Sequence, residues 1–240
     1  SLVGATPIFC DIYDQTFNID AEKLSESLKE AYEKDLYPKA IMPVDLFGLP
    51  ARYRLIEKFA KDNNLLIIED AAQGFGGHIR GKKAGAFGDV AGTSFFPAKP
   101  LGCYGDGGAI FTSNDELALK LKSIRVHGAG EDKYNNIRIG INGRLDSIQA
   151  AIIIEKLKIF QSELKLRNKV ANQYMKVFTE LKTKITLPKI ISQCTSNWAQ
   201  FTIILPTSIN RESLREKLSK KQIPTAIYYP IPLHKQKPYK

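Results

Sequence analysis

Cysteine is scarce in this chain, and the few there are do not pair. Cys10, Cys103 and Cys194 are odd in number and widely spread, with no CxxC spacing and no histidine nearby at metal-ligand spacing. That pattern argues against a disulfide framework and against a zinc site. Long apolar runs are missing too: nothing approaches the roughly 20 residues that span a bilayer. The opening SLVGATPIFCDIYD lacks the basic flank and cleavage site of a secretory signal. A cytoplasmic protein with reduced thiols is expected. No helix-turn-helix, zinc-finger or RNP pattern occurs, so nucleic acid has only charge to recommend it. The order GxxxxGK[ST] is also absent, which removes a P-loop.

What is present is ordinary globular material: 240 residues, 43% hydrophobic and 25% charged, enough for one large core and a second, smaller one. The net charge of +10 is unevenly placed, with 13 basic against 17 acidic residues in 1–120 and 22 against 8 in 121–240. A basic C-terminal half suits an anionic partner, although a lysine-rich solvated helix face accounts for much of it.

The first half alternates short apolar runs with amphipathic ones. Residues 39–44 read as a strand, 51–63 as a helix with Leu55, Ile56 and Phe59 on one face, and 65–69 as a buried strand. Strand, helix, strand over this length is a βαβ unit, so an α/β fold with a parallel sheet follows. Residues 90–96 and 108–112 are further strands, and Asn114 caps a helix through Ile124. A long helical pattern, expected to break once, runs from Arg144 past Tyr174. After Pro188 a strand at 199–205, a capped helix at 210–221 and a strand at 225–229 suggest a small α+β domain. The expected division is a large α/β domain over 1–145, then a linking helix and small domain over 146–240. Both ends look cut.

Two segments carry chemistry. Ile67-Ile-Glu-Asp70-Ala-Ala-Gln73 closes a buried strand on two carboxylates, and the carboxyl ends of parallel strands line the ligand crevice. Alone, Asp70 is better explained by a helix cap or a buried salt bridge than by catalysis. The second segment, Thr93-Ser-Phe-Phe-Pro-Ala-Lys99-Pro-Leu-Gly-Cys-Tyr-Gly-Asp-Gly-Gly108, sets one lysine before a glycine-rich loop. A lysine shielded from water can lose its proton and form a Schiff base, and glycines let backbone pass close to a ring. Ser94 can offer a hydroxyl to a phosphate. Pyridoxal chemistry needs this pair, a lysine for the aldehyde and an acid for the pyridine nitrogen. Lys99 and Asp70 are the candidates. Gln73 could bond the ring or its hydroxyl, or be a surface amide.

With these residues in hand, the chain resembles the DegT/DnrJ/EryC1/StrS family of sugar aminotransferases. The resemblance covers nearly the whole chain, through GATPIFCDI, EDAAQGFGG, GDVAGTSFFPAKPLGCYGDGGAIFT, IRVHG, GINGRLDSIQAA and YYPIPLHKQ. It implies the fold-type I architecture, pyridoxal 5'-phosphate as cofactor and a homodimer with shared sites. It further implies Lys99 as Schiff-base lysine and proton shuttle, Asp70 on the pyridinium, Gln73 beside the ring and Ser94 on the phosphate. Asn142 matches an asparagine that reaches a partner subunit's phosphate. A segment that completes the phosphate cup normally precedes the point where this chain begins, so the N-terminal part of the family fold is expected to be missing.

The wording TSFFPAKPLGCYGDGGA and RVHG is similar to the subgroup acting on the 3-keto derivative of UDP-N-acetylglucosaminuronic acid, an O-antigen precursor, with glutamate as amino donor and 2-oxoglutarate as product. Arg144 is the candidate for the sugar carboxylate, since a guanidinium fork matches it bidentately. Tyr228, Tyr229 and His234 are candidates for substrate contact; Arg125 and His127 divide evenly between function and capping the preceding helix. Rival readings are a 4-keto or dTDP- or GDP-linked sugar, a dehydratase, which would carry His in place of Lys99, and a regulatory homologue without turnover.

Overall fold

The computed structural model describes residues 1–132, 134–182 and 184–239. Its elements run α1 (Leu24–Glu33), β1 (Ala40–Ile41), α2 (Tyr53–Asp62), β2 (Leu66–Asp70), β3 (His78–Ile79), β4 (Lys82–Lys83), β5 (Val90–Ser94) and β6 (Gly108–Phe111), then α3 (Asp115–Arg125), α4 (Ser147–Glu180), β7 (Cys194–Thr195) and α5 (Arg211–Lys220). The main sheet has the order β1-β2-β5-β6. Its first three strands are parallel and β6 is antiparallel to β5. A small antiparallel sheet, β4-β3-β7, stands apart from it.

The helices sit where their periodicity puts them. In α2 the buried residues are Tyr53, Ile56 and Ala60, one stripe of a 3.6-residue repeat. They pack with Ile41 and Ile67 of the sheet and with Phe87, whose ring stacks on Tyr53 at 4.3 Å and 6°. A second cluster joins Ile153, Phe160 and Leu164 of α4 to Phe95, Leu101 and Cys103. Burying each large apolar side chain contributes about 1.5–3 kcal/mol, so α4 is fastened to the segment that follows β5. Asn114 and Asn210 cap α3 and α5, their side-chain oxygens accepting from the N–H groups of Leu117 and Ser213.

Strand alternation sorts the sheet into two faces. Ile67 and Glu69 of β2 and Ala91 and Thr93 of β5 are buried on one; Asp70, Gly92 and Ser94 share the other. Glu69 is satisfied by backbone: its oxygens accept from the N–H groups of Gly85, Phe87 and Gly88 at 2.5, 2.7 and 3.1 Å. Beside it lies Asp45, fully buried, whose Oδ1 accepts from Ala51 N–H and the Tyr53 hydroxyl, both at 3.0 Å. Burial, and then the charge of Glu69, push the Asp45 carboxyl well above its ordinary value. Its Oδ2 is buried without a hydrogen-bond partner among the described residues, and a carboxyl so placed keeps its proton more tightly than an exposed one.

Four expectations need correction. The long helix has no break: α4 is continuous for 34 residues, because no Gly or Pro interrupts it. The stretch 199–205 forms only an isolated bridge, Ile204 with Thr186, and 225–229 is irregular, so Tyr228 and Tyr229 do not lie in a strand. A β-rich composition makes a strand only where another segment accepts its ladder. The expected strand over 39–44 is reduced to Ala40–Ile41, with Val44 adding a bridge to Asp70. No described helix is long and apolar enough to cross a membrane.

Candidate active site

The site begins at the carboxyl ends of β2 and β5. Asp70 is the last residue of β2 and stands in register with Gly92 of β5. Two residues further on, on the same face, β5 ends at Ser94. A Cβ built at Gly92 would meet nothing within 4 Å, so the surface between Asp70 and Ser94 is open at that point. The Asp70 Oδ1 accepts from Ala72 N–H at 3.0 Å, and its other oxygen makes no hydrogen bond among the described residues. The Ser94 hydroxyl accepts from Phe96 N–H at 3.2 Å.

Lys99 follows five residues after Ser94, on a turn in which its own N–H donates to Phe96 O at 2.8 Å. It is half-buried, and its ammonium has no hydrogen bond or ion pair among the described residues. The turn is held from several sides. Cys103, fully buried, returns an N–H to Phe95 O at 2.7 Å and directs its thiol to the carbonyls of Phe95 and Gly105. From α4, Lys156 donates to Gly102 O at 2.5 Å and Gln149 accepts from Tyr104 N–H at 2.8 Å. Gly102 is required by close approach, since a Cβ there would lie 2.6 Å from the carbonyl oxygens of Phe96 and Pro97.

Gln73 is neither a surface amide nor loosely placed. It is 6% exposed. Its Oε1 accepts from Phe47 N–H at 2.6 Å, its Nε2 donates to the Tyr229 hydroxyl at 3.1 Å, and its carbonyl accepts from Asn197 Nδ2 at 2.6 Å. The structure thus brings Tyr229 to the turn that follows Asp70. Tyr228 packs edge-on against Tyr229 with ring centroids 5.4 Å apart.

Asn142 and Arg144 lie elsewhere, on an exposed ribbon in which Asn142 bridges to Val126. Arg144 precedes α4 rather than belonging to its first turn, and its Nη1 is 3.3 Å from His127 Nε2. Arg125 is the last residue of α3. His234 lies in a short 3-10 turn with its ring 6.0 Å from that of Phe9. No hydrogen bond or ion pair among the described residues joins these groups to Asp70, Ser94 or Lys99.

The model of the DegT/DnrJ/EryC1/StrS aminotransferase family matches residues 1–240. The chain belongs to that family. A curated relative, UDP-2-acetamido-2-deoxy-3-oxo-D-glucuronate aminotransferase of Pseudomonas aeruginosa, is 44% identical over 239 residues, covering 98% of this chain and 62% of the relative. A solved DegT/DnrJ/EryC1/StrS aminotransferase from Brucella abortus superposes with a TM-score of 0.94 at 46% identity, over 99% of this chain and 62% of that one. Streptomyces venezuelae DesV, solved with a ketimine intermediate, gives 0.89 at 33% identity, over 99% of this chain and 61% of that one. The chain therefore spans about three-fifths of the length of these DegT/DnrJ/EryC1/StrS proteins.

Four residues around this family site escaped the sequence reading: Phe47, Asn197, Gln149 and Lys156. Phe47 acts through its backbone and Asn197 from 124 residues beyond Gln73, so neither leaves a local pattern. Gln149 and Lys156 are seven residues apart on α4, two turns and one face, a spacing that periodicity could have flagged.

Proposed function

We propose that the protein to which this chain belongs is a pyridoxal 5'-phosphate-dependent aminotransferase moving an amino group from glutamate to a nucleotide-linked keto sugar. The substrate we favour is UDP-2-acetamido-2-deoxy-3-keto-glucuronate, for O-antigen and lipopolysaccharide synthesis, in the cytoplasm, by a homodimer with shared sites. The carrying observation is the open face at Gly92, flanked by Asp70 and Ser94 and followed by the tethered turn of Lys99. That donor set suits the cofactor: an acid with an unused oxygen, a hydroxyl, and a lysine with no competing partner. The similarity to the Pseudomonas aeruginosa enzyme supports the choice of sugar. The division at residue 145 is part of the same reading.

Pyridoxal phosphate, when bound, supplies the electron sink for charge released at the substrate's α-carbon. Asp70 would keep the ring nitrogen protonated and Ser94 would hold a phosphate oxygen. Lys99 would hold the aldehyde carbon and, as a free amine, carry the proton at the reacting carbon. Gln73 would lie beside the ring. Asn142 would serve the partner subunit's phosphate, and Arg144, Tyr228, Tyr229 and His234 the anionic sugar nucleotide. The test is Lys99→Ala in the full-length protein, with a panel of UDP- and dTDP-linked keto sugars. Steady-state transamination should vanish, and its survival would refute the assignment.

A further inference from the structure

The amide of Gln73 has its polarity fixed by chemistry. Phe47 N–H can only donate, so the Gln73 atom that meets it at 2.6 Å is the carbonyl oxygen. The opposite end of the amide, facing Tyr229 at 3.1 Å, is therefore the NH2 group. Tyr229 must accept that bond. Gln73 is buried, and Asn197 clamps its turn through two backbone carbonyls, Gln73 O and Phe75 O, at 2.6 and 2.9 Å. The amide cannot turn over without leaving the Phe47 N–H facing another donor, at the cost of a buried unmade bond.

A phenol that accepts one hydrogen bond still has its own hydrogen to give. The Tyr229 hydroxyl finds no acceptor among the described residues, and the residue is 60% exposed. We infer that Gln73 is a positioning residue whose amide holds Tyr229 as an outward hydrogen-bond donor to an oxygen of the nucleotide sugar. The inference rests on the proposed function and deepens it, giving the sugar side of the site a donor of set direction.

Two near-isosteric changes separate this from a packing role. Tyr229→Phe removes the donor. Gln73→Glu keeps the side-chain length and both contacts, yet its carboxylate accepts from Phe47 N–H and from the Tyr229 O–H, which turns the phenol's hydrogen inward. Binding of UDP-N-acetylglucosaminuronic acid to the full-length protein loaded with pyridoxal phosphate is measured by titration calorimetry, without amino donor. Each variant should weaken binding roughly 3- to 30-fold, and the double variant should be no weaker than either alone. Wild-type affinity in Gln73→Glu, or losses that multiply in the double variant, would overturn the inference. If Gln73→Glu does not fold, Tyr229→Phe decides alone, and binding within twofold of wild type defeats the proposal. Failure of the functional reading looks different: wild-type protein would then show no cofactor absorbance and no spectral change with glutamate.

Discussion

Lys156 of α4 donates its ammonium to the carbonyl of Gly102, three residues beyond Lys99, and lies 5.2 Å over the Tyr104 ring. A long helix thus grips the lysine turn from outside the sheet. Lys156→Met keeps the apolar stem and removes the charged donor. A hydrogen bond from a charged group contributes about 1.5–3 kcal/mol, so the melting temperature should fall by several degrees. Amide exchange over residues 100–105 should quicken more than in the sheet; equal exchange would show that the contact does not hold the turn.

Gly92 offers a cleaner separation of folding from binding. Valine suits a strand and its Cβ would meet no atom within 4 Å there, so Gly92→Val should keep stability within about 1 kcal/mol of wild type. It should nevertheless abolish uptake of pyridoxal phosphate, read from the absorbance spectrum, by occupying the face between Asp70 and Ser94. Normal uptake would place the cofactor elsewhere.

Asp45 predicts a pH dependence with a definite sign. Its folded carboxyl is raised well above the usual value, so over that interval the native state holds a proton the unfolded chain has released. Stability must fall as pH rises through that window. Asp45→Asn cannot ionise and keeps an oxygen for Ala51 N–H and the Tyr53 hydroxyl. Its melting temperature relative to wild type should rise as the pH is raised from about 4, the ordinary carboxylate range, upward. A constant difference would mean that Asp45 does not change charge there.

Phe160 joins α4 to Phe75 at 5.7 Å between ring centroids and to the cluster beneath the lysine turn. Phe160→Ala should cost about 3–5 kcal/mol by chemical denaturation. A loss under 1 kcal/mol would mean that the cluster collapses around the gap.

The sheet, and the places of Asp70 and Ser94 on it, were legible because they are local. Strands β2 and β5 lie where apolar runs placed them, and Asn114 and Asn210 cap the helices they precede. Asp70 could be assigned to a strand's carboxyl end from the order of residues alone. Contacts made across long stretches of chain were not legible. Tyr229 meets Gln73 from 156 residues away, and the upward shift of the Asp45 carboxyl depends on burial that no motif announces. The two-residue strands of the small sheet are too short to show alternation. The strands expected at 199–205 and 225–229 had the right composition and lacked neighbours to pair with.

At 1.5 Å per residue the 34 residues of α4 form a rod about 50 Å long, with its grip on the lysine turn close to one end. Farther along, its Asn168 donates to Ser196 O and accepts from the Trp198 indole, and Tyr174 packs on Phe201 at 5.2 Å. One unbroken helix is therefore a spine that ties the segment after β7 to the turn that carries Lys99.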